Sequence, residues 1–179
     1  MRYNAHKNSG EVYEQIENYP LAKYHYTQAL KIQQKDSFIW TRLGQIEFER
    51  FHDLRMAQDC FNAAANTLTT LEKRGLKMNM ILVKLAEVSF LLYNFKESEI
   101  VADTLIKRGY PDQGSIIFAF LLKSFFLTLK NEQSQADIFL KRAQSLKPEA
   151  SVDELPVIKQ MRSFRANLNE SRPQAMMLS

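Results

Sequence analysis

Four side chains carry most of the chemical potential of this chain: His6, His25, His52 and Cys60. No two histidines lie three or four residues apart, and none stands in a His-Glu-x-x-His frame, so no helix encodes a zinc-ligand pair by itself. Along a helix, His52 and Cys60 would be about 12 Å apart at 1.5 Å per residue, too far for a thiolate–imidazole pair. A single cysteine excludes an internal disulfide framework and a cysteine-based zinc site, and reads as a small buried hydrophobe in a reducing compartment. There is no Gly-rich phosphate loop and no Gly-x-Ser-x-Gly elbow. Acidic residues are scattered among basic ones, as on solvated helix faces. The expectation is a non-catalytic protein with no cofactor and no metal. Lys159, Arg162 and Arg165 recur on one side of a C-terminal helix, with Arg172 beyond, where phosphate or an acidic peptide could attach. No exposed aromatics interleave them, which favours a solvated face over nucleic-acid binding.

The elements that must position these groups read as helices. Five Gly and five Pro in 179 residues leave little room for tight hairpins. Ala22, Tyr26 and Ala29 are spaced four and three apart, as are Ala57, Phe61 and Ala64, so each trio lies on one helix face. Small residues at a crossing let two helices approach, and the aromatic fills the hole beside them. Helices are expected over 3–17 and 20–34, then from Phe38 onward with Asp36 or Ser37 as cap. A partner helix follows Asp53 and runs to about Leu71. Asn18 and Asp53 are good N-caps, and Gly75 is a stop signal. Leu21, Ala22, Tyr26, Ala29 and Leu30 read as inward. Tyr24, Tyr26, Trp40, Phe48, Phe61, Phe90 and Phe95 read as core. The most apolar run, Ile116 to Leu129, is interrupted by Lys123 and is shorter than the ~20 residues of a membrane span. It reads as a buried helix. The first helix is polar, with Asn4, His6, Lys7 and Ser9, and is expected to fray or to be covered by another chain.

Ala22 and Ala57 are about 35 residues apart, the period of a helix-turn-helix repeat. The stretch resembles the tetratricopeptide repeat (TPR) family. Trp40, Leu43 and Gly44 match its opening Trp-x-x-Leu-Gly signature, and Ala57-x-x-x-Phe61 its second-helix signature. Gly10 and Tyr13 sit where the family has its Gly and the following Tyr. Ala136, Leu140 and Ala143, with Pro148, match its closing spacing. One departure is that Glu47 stands in the place of an aromatic, with Phe48 one position later. The resemblance implies an all-α, right-handed α-solenoid of about four helix pairs, near 3–36, 37–71, 79–112 and 117–150, within a single domain spanning 1–168. A capping helix is expected over 154–168, with Leu155, Val157, Ile158, Met161, Phe164 and Leu168 inward. Residues 169–179 read as a mobile tail.

By resemblance, the first helices of successive repeats line a concave groove. Its candidate partner-binding residues are Lys7 and Glu11, then Phe38, Thr41, Arg42 and Gln45, then Met80, Lys84 and Glu87. Arg42 and Lys84 read as exposed charges that add little to stability. Glu11 would repel a carboxylate about one turn from Lys7, so a clamp for C-terminal carboxylates does not fit. The expected function is a protein–protein interaction adaptor or scaffold that holds a partner's peptide or helix in this groove. A TPR-type secretion chaperone and a nucleic-acid binder with a basic surface are the alternatives. The net charge of +4 permits an acidic partner without demanding one. The segment Met1-Arg2-Tyr3-Asn4-Ala5-His6 has no apolar core of a signal peptide, so the expected place is intracellular, in the cytoplasm or the nucleus.

Overall fold

The structure, a computed structural model, describes residues 2–109 and 112–160. Those residues are helical throughout, with no strand among them. They fall into two compact units, Met1–Leu92 and Tyr93–Ser179. The division lies inside the stretch 79–112 that reads as one helix pair.

The first unit holds α1 (Arg2–Gln15), α2 (Tyr19–Ile32), α3 (Ser37–Ile46), α4 (Leu54–Thr67), α5 (Thr70–Arg74) and α6 (Leu76–Leu91). A π-turn at Glu47–Phe51 extends α3. Packing follows chain order, with α1 on α2, α2 on α3, α3 on α4 and α4 on α6. The polar α1 is a continuous helix. Its contact with α2 rests on a missing side chain. A Cβ at Gly10 would stand 2.5 Å from Tyr26 Cδ1, so the ring lies directly on the α1 backbone. The same arrangement joins α3 to α4, where a Cβ at Gly44 would stand 2.8 Å from Phe61 Cε1. Both rings and the small residues flanking them, Ala22, Ala29, Ala57 and Ala64, are fully buried.

Caps set the helix starts. Asn18, Asp36 and Asp53 each accept backbone N–H bonds from the first turns of α2, α3 and α4. The expected continuation of α4 to Leu71 is not found. Leu68 leaves the helix in an extended conformation, and Thr69 and Glu72 form a reciprocal capping box that starts α5. Two residues read as inward or core lie outside: Leu21 is 40% and Tyr24 54% exposed. Both are on the side of α2 turned away from Tyr26, where the four-three spacing of the trio does not reach.

The second unit holds α7 (Phe95–Arg108), α8 (Gln113–Leu129) and α9 (Gln133–Leu146). Here α7 packs on α8 and α8 on α9. Ser124 takes the small position of α8, and its hydroxyl donates to the Ala136 carbonyl at 2.9 Å, fastening α8 to α9. Lys123 bonds Glu99 and Asp103 of α7, both at 3.0 Å, so the charge that interrupts the apolar run is satisfied. A 3-10 turn at Val152–Glu154 leads into a helix over 156–160. Leu155, Val157 and Ile158 are buried there as expected. The rest of the expected capping helix, with Met161, Arg162, Phe164, Arg165 and Leu168, and the tail with Arg172, lie outside the described residues. No helix among the described residues is long and apolar enough to cross a membrane.

Four turns share one backbone. A left-handed residue precedes the N-cap of α2, α4, α7 and α9: Glu17 (φ 59), His52 (φ 55), Tyr93 (φ 61) and Asn131 (φ 61). The caps that follow, Asn18, Asp53, Asn94 and Glu132, have φ between −84 and −95.

The glycine contacts decide a prediction. Alanine in a helix interior is intrinsically better than glycine by about 0.5–1 kcal/mol. At Gly44 the added methyl meets a buried ring that cannot swing away, and overpacking costs about 1–3 kcal/mol. We expect Gly44→Ala and Ala57→Leu each to lower the denaturant midpoint. A midpoint at or above the parent's would contradict the close-contact assignment.

Candidate functional site

The first unit carries an open cleft of about 500 Å³. Its walls come from the second half of α1, the start of α2, and α3 with its π-turn. Tyr19, Tyr26, Phe38 and Ile46 give it an apolar lining, and Glu11, Glu14, Gln15, Arg42, Gln45, Glu49 and Arg50 supply the polar groups.

Glu14 ties the cleft together. Its carboxylate accepts from the Tyr26 hydroxyl at 2.8 Å and from Arg42 Nε at 3.0 Å, with a second bond from Arg42 Nη2. One carboxylate on α1 therefore links α2 and α3. Burial first, and then the bond to Glu14, push the Tyr26 hydroxyl well above its ordinary value. Burial opposes the Arg42 charge, but the Glu14 hydrogen bond and charge outweigh it and raise its value. Arg42 also donates to Gln45 Oε1 at 3.0 Å. Arg50 lies over the Tyr19 ring, 4.5 Å from its centroid.

Of the nine candidate residues, the cleft brings together Glu11, Phe38, Arg42 and Gln45. Lys7 lies beside them. It bonds Asp36 at 3.0 Å and sits over the Phe38 ring at 4.7 Å. Thr41 turns back on its own helix and donates to the Ser37 carbonyl at 2.7 Å. Met80, Lys84 and Glu87 belong to α6 and do not line the cleft. Met80 is exposed, while Glu87 is buried and pairs with Lys84 at 2.9 Å. Lys84 also lies 5.3 Å over the Phe48 ring. Arg42 and Lys84 are thus both paired, and the reading of them as exposed charges is corrected. Phe38 is 42% exposed and is the apolar residue on the rim. The residues missed were Glu14, Gln15, Tyr19, Tyr26, Ile46, Glu49 and Arg50. Glu14 was legible, since it stands three residues after Glu11 and seven after Lys7 on one face of α1.

The position where an aromatic was expected is the site of the π-turn. Glu47 is buried, and Lys23 Nζ meets its Oε1 at 2.6 Å. Its Oε2 has no hydrogen-bond partner among the described residues. A π-turn absorbs one extra residue in a helix. It starts at Glu47, one place before Phe48. Cys60 lies in this core, and burial first, then the Glu47 charge, push its thiol up to about 12. A thiol so raised is a poor nucleophile.

Asp36 caps α3 through the amides of Phe38 and Ile39, at 2.8 and 3.1 Å, and accepts from Lys7 and Tyr3 as well. Burial alone would raise its pKa. The hydrogen bonds from Tyr3, Lys7 and Ile39 more than offset this, and the net value is lowered. A carboxylate lowered in the folded state contributes stability that is complete above its unfolded value of about 3.9 and is lost as pH falls through the folded value. Asn retains the capping geometry without the charge. Asp36→Asn should therefore flatten the acid limb of the stability–pH curve below about pH 4, as read by urea midpoints at successive pH values. An unchanged acid limb would refute the role. Arg42→Glu sets a second carboxylate against half-buried Glu14, and we expect a loss of about 1–3 kcal/mol, as in other disrupted charge-assisted bonds. A melting temperature equal to the parent's would show that the pair contributes nothing.

No family model matches the chain, and a search of curated proteins finds no match.

Proposed function

We propose that this chain is a non-catalytic interaction adaptor, a right-handed TPR-like helical array that holds a peptide or helix of a partner protein in the α1–α3 cleft. The observation that carries this reading is the cleft itself. It combines apolar walls at Tyr19, Phe38 and Ile46 with a polar rim at Glu11, Gln45, Glu49 and Arg50. A bound segment needs both: apolar anchors for affinity, and a few polar groups for register. The volume, about 500 Å³, suits a few side chains of such a segment. The repeated glycine–aromatic contacts and the four matching turns support the repeat reading. In this proposal the protein works inside the cell as a scaffold in a larger assembly.

The test uses substitutions that spare the Glu14–Arg42 pair. Phe38→Ala with Gln45→Ala removes one rim anchor and one rim hydrogen-bonding group. For any captured partner, the double variant should raise Kd at least about tenfold, roughly the 1.4 kcal/mol expected of one lost anchor. Lys141→Ala, on exposed α9, should leave Kd unchanged. Equal affinity of the cleft variant and the parent would place binding elsewhere.

A further inference from the structure

Five charged side chains line the cleft, and most of them are engaged within the protein. Arg42 is held by Glu14 through its Nε and Nη2, so neither charge is open to a ligand. Lys7, beside the cleft, is held by Asp36 at 3.0 Å. Arg50 is laid on the Tyr19 ring, 4.5 Å from its centroid. Glu11 and Glu49 differ. Neither side chain has a hydrogen bond or an ion pair among the described residues. Glu11 is half-buried and Glu49 is exposed. Burial does most to raise the Tyr26 hydroxyl, followed by the bond to Glu14, and the Glu11 charge adds to the shift. The field of Glu11 therefore reaches the buried ring behind the cleft.

Resting on the reading of this cleft as the docking site, we propose that it takes a basic segment: a partner protein's helix or extended stretch that carries Lys or Arg beside an apolar anchor. Long cationic side chains suit both parts of the lining. Their aliphatic stems lie along Tyr19, Phe38 and Ile46 while their charged heads meet Glu11 and Glu49. A half-buried, unpaired carboxylate gains more from an incoming cation than one in open water does. The rings favour the same sign of charge, since the negative face of an aromatic attracts cations. The protein's own Lys7 and Arg50 already lie over Phe38 and Tyr19. An acidic segment would meet two unpaired carboxylates and one guanidinium, the one laid on Tyr19. The net charge of +4 does not reverse this. Salt screens charges beyond about 8 Å under physiological conditions, so the groups that touch the segment decide.

Panning the full chain against a random linear peptide library displayed on phage tests this, followed by fluorescence anisotropy on the synthetic peptides it enriches. We expect Lys and Arg above, and Asp and Glu below, their frequency in the library. Glu11→Gln with Glu49→Gln should raise the Kd of those peptides at least about tenfold and flatten its rise between about 0.05 and 0.3 M salt. Asp59→Asn, which changes an exposed acid of α4 outside the cleft, should leave Kd unchanged. Binding that is lost in Phe38→Ala with Gln45→Ala but kept in the Glu11–Glu49 double variant overturns the basic preference and leaves the cleft as the docking site. Enrichment of neutral or acidic peptides that respond to Phe38→Ala with Gln45→Ala does the same. Binding that survives both double variants, or a library that yields no binder, overturns the docking site and the basic preference together.

Discussion

The first unit depends on a ring lying on a bare backbone. Tyr26 occupies the volume that a Cβ at Gly10 would fill, and it comes within bonding distance of Glu14 only because α1 and α2 approach that closely. From Glu14 the connection passes to Arg42, and from Arg42 to Gln45. One steric vacancy on α1 thus sets the position of a charge on α3. Close packing makes this possible: a buried ring with no free space beside it transmits position from one helix to the next. Gly44 and Phe61 repeat the steric half of the device, without the hydroxyl and the carboxylate.

Charge in the first unit is used chiefly to join helices. Lys7 reaches the residue that caps α3, Arg42 reaches across to α1, and Lys23 of α2 reaches the buried Glu47. Each joins elements distant in sequence, and each is partly shielded from water, where an ion pair counts for more than it does on an open surface. Under the proposed function, the groups that would meet a partner are the exposed ring of Phe38 and the side chains of Glu11, Gln45, Glu49 and Arg50.

Glu47 puts a charge inside the core. Its carboxylate is buried, with one oxygen paired to Lys23 and the other without a hydrogen-bond partner among the described residues. The helix widens into a π-turn at that residue and ends in left-handed His52. A buried carboxylate with one unsatisfied oxygen costs stability, so this turn is a weak point of α3. It also forms part of the cleft wall, through Glu49 and Arg50.

The sequence by itself determined most of the helices, the caps of α2, α3 and α4, and the small-and-aromatic trios that become the core. These depend on spacing within one helix and on side chains reaching their own backbone, which are local properties. Of the nine candidate residues, which rested on the resemblance, Glu11 on α1 and Phe38, Arg42 and Gln45 on α3 line one cleft. Tertiary structure decided the rest. That Arg42 is bound to Glu14, that Lys84 is bound to Glu87 over Phe48, and that Met80 lies outside the cleft depend on helix rotation and depth. The break at Leu68 overrode a pattern that looked continuous, because the Thr69–Glu72 capping box outcompeted one more helical turn. His6 and His25 look unrelated in sequence, being too far apart to share a turn of helix. Only the packing of α1 on α2 brings their Nδ1 atoms to hydrogen-bonding distance, since a contact between helices is fixed by which faces meet and not by the order of residues along either one.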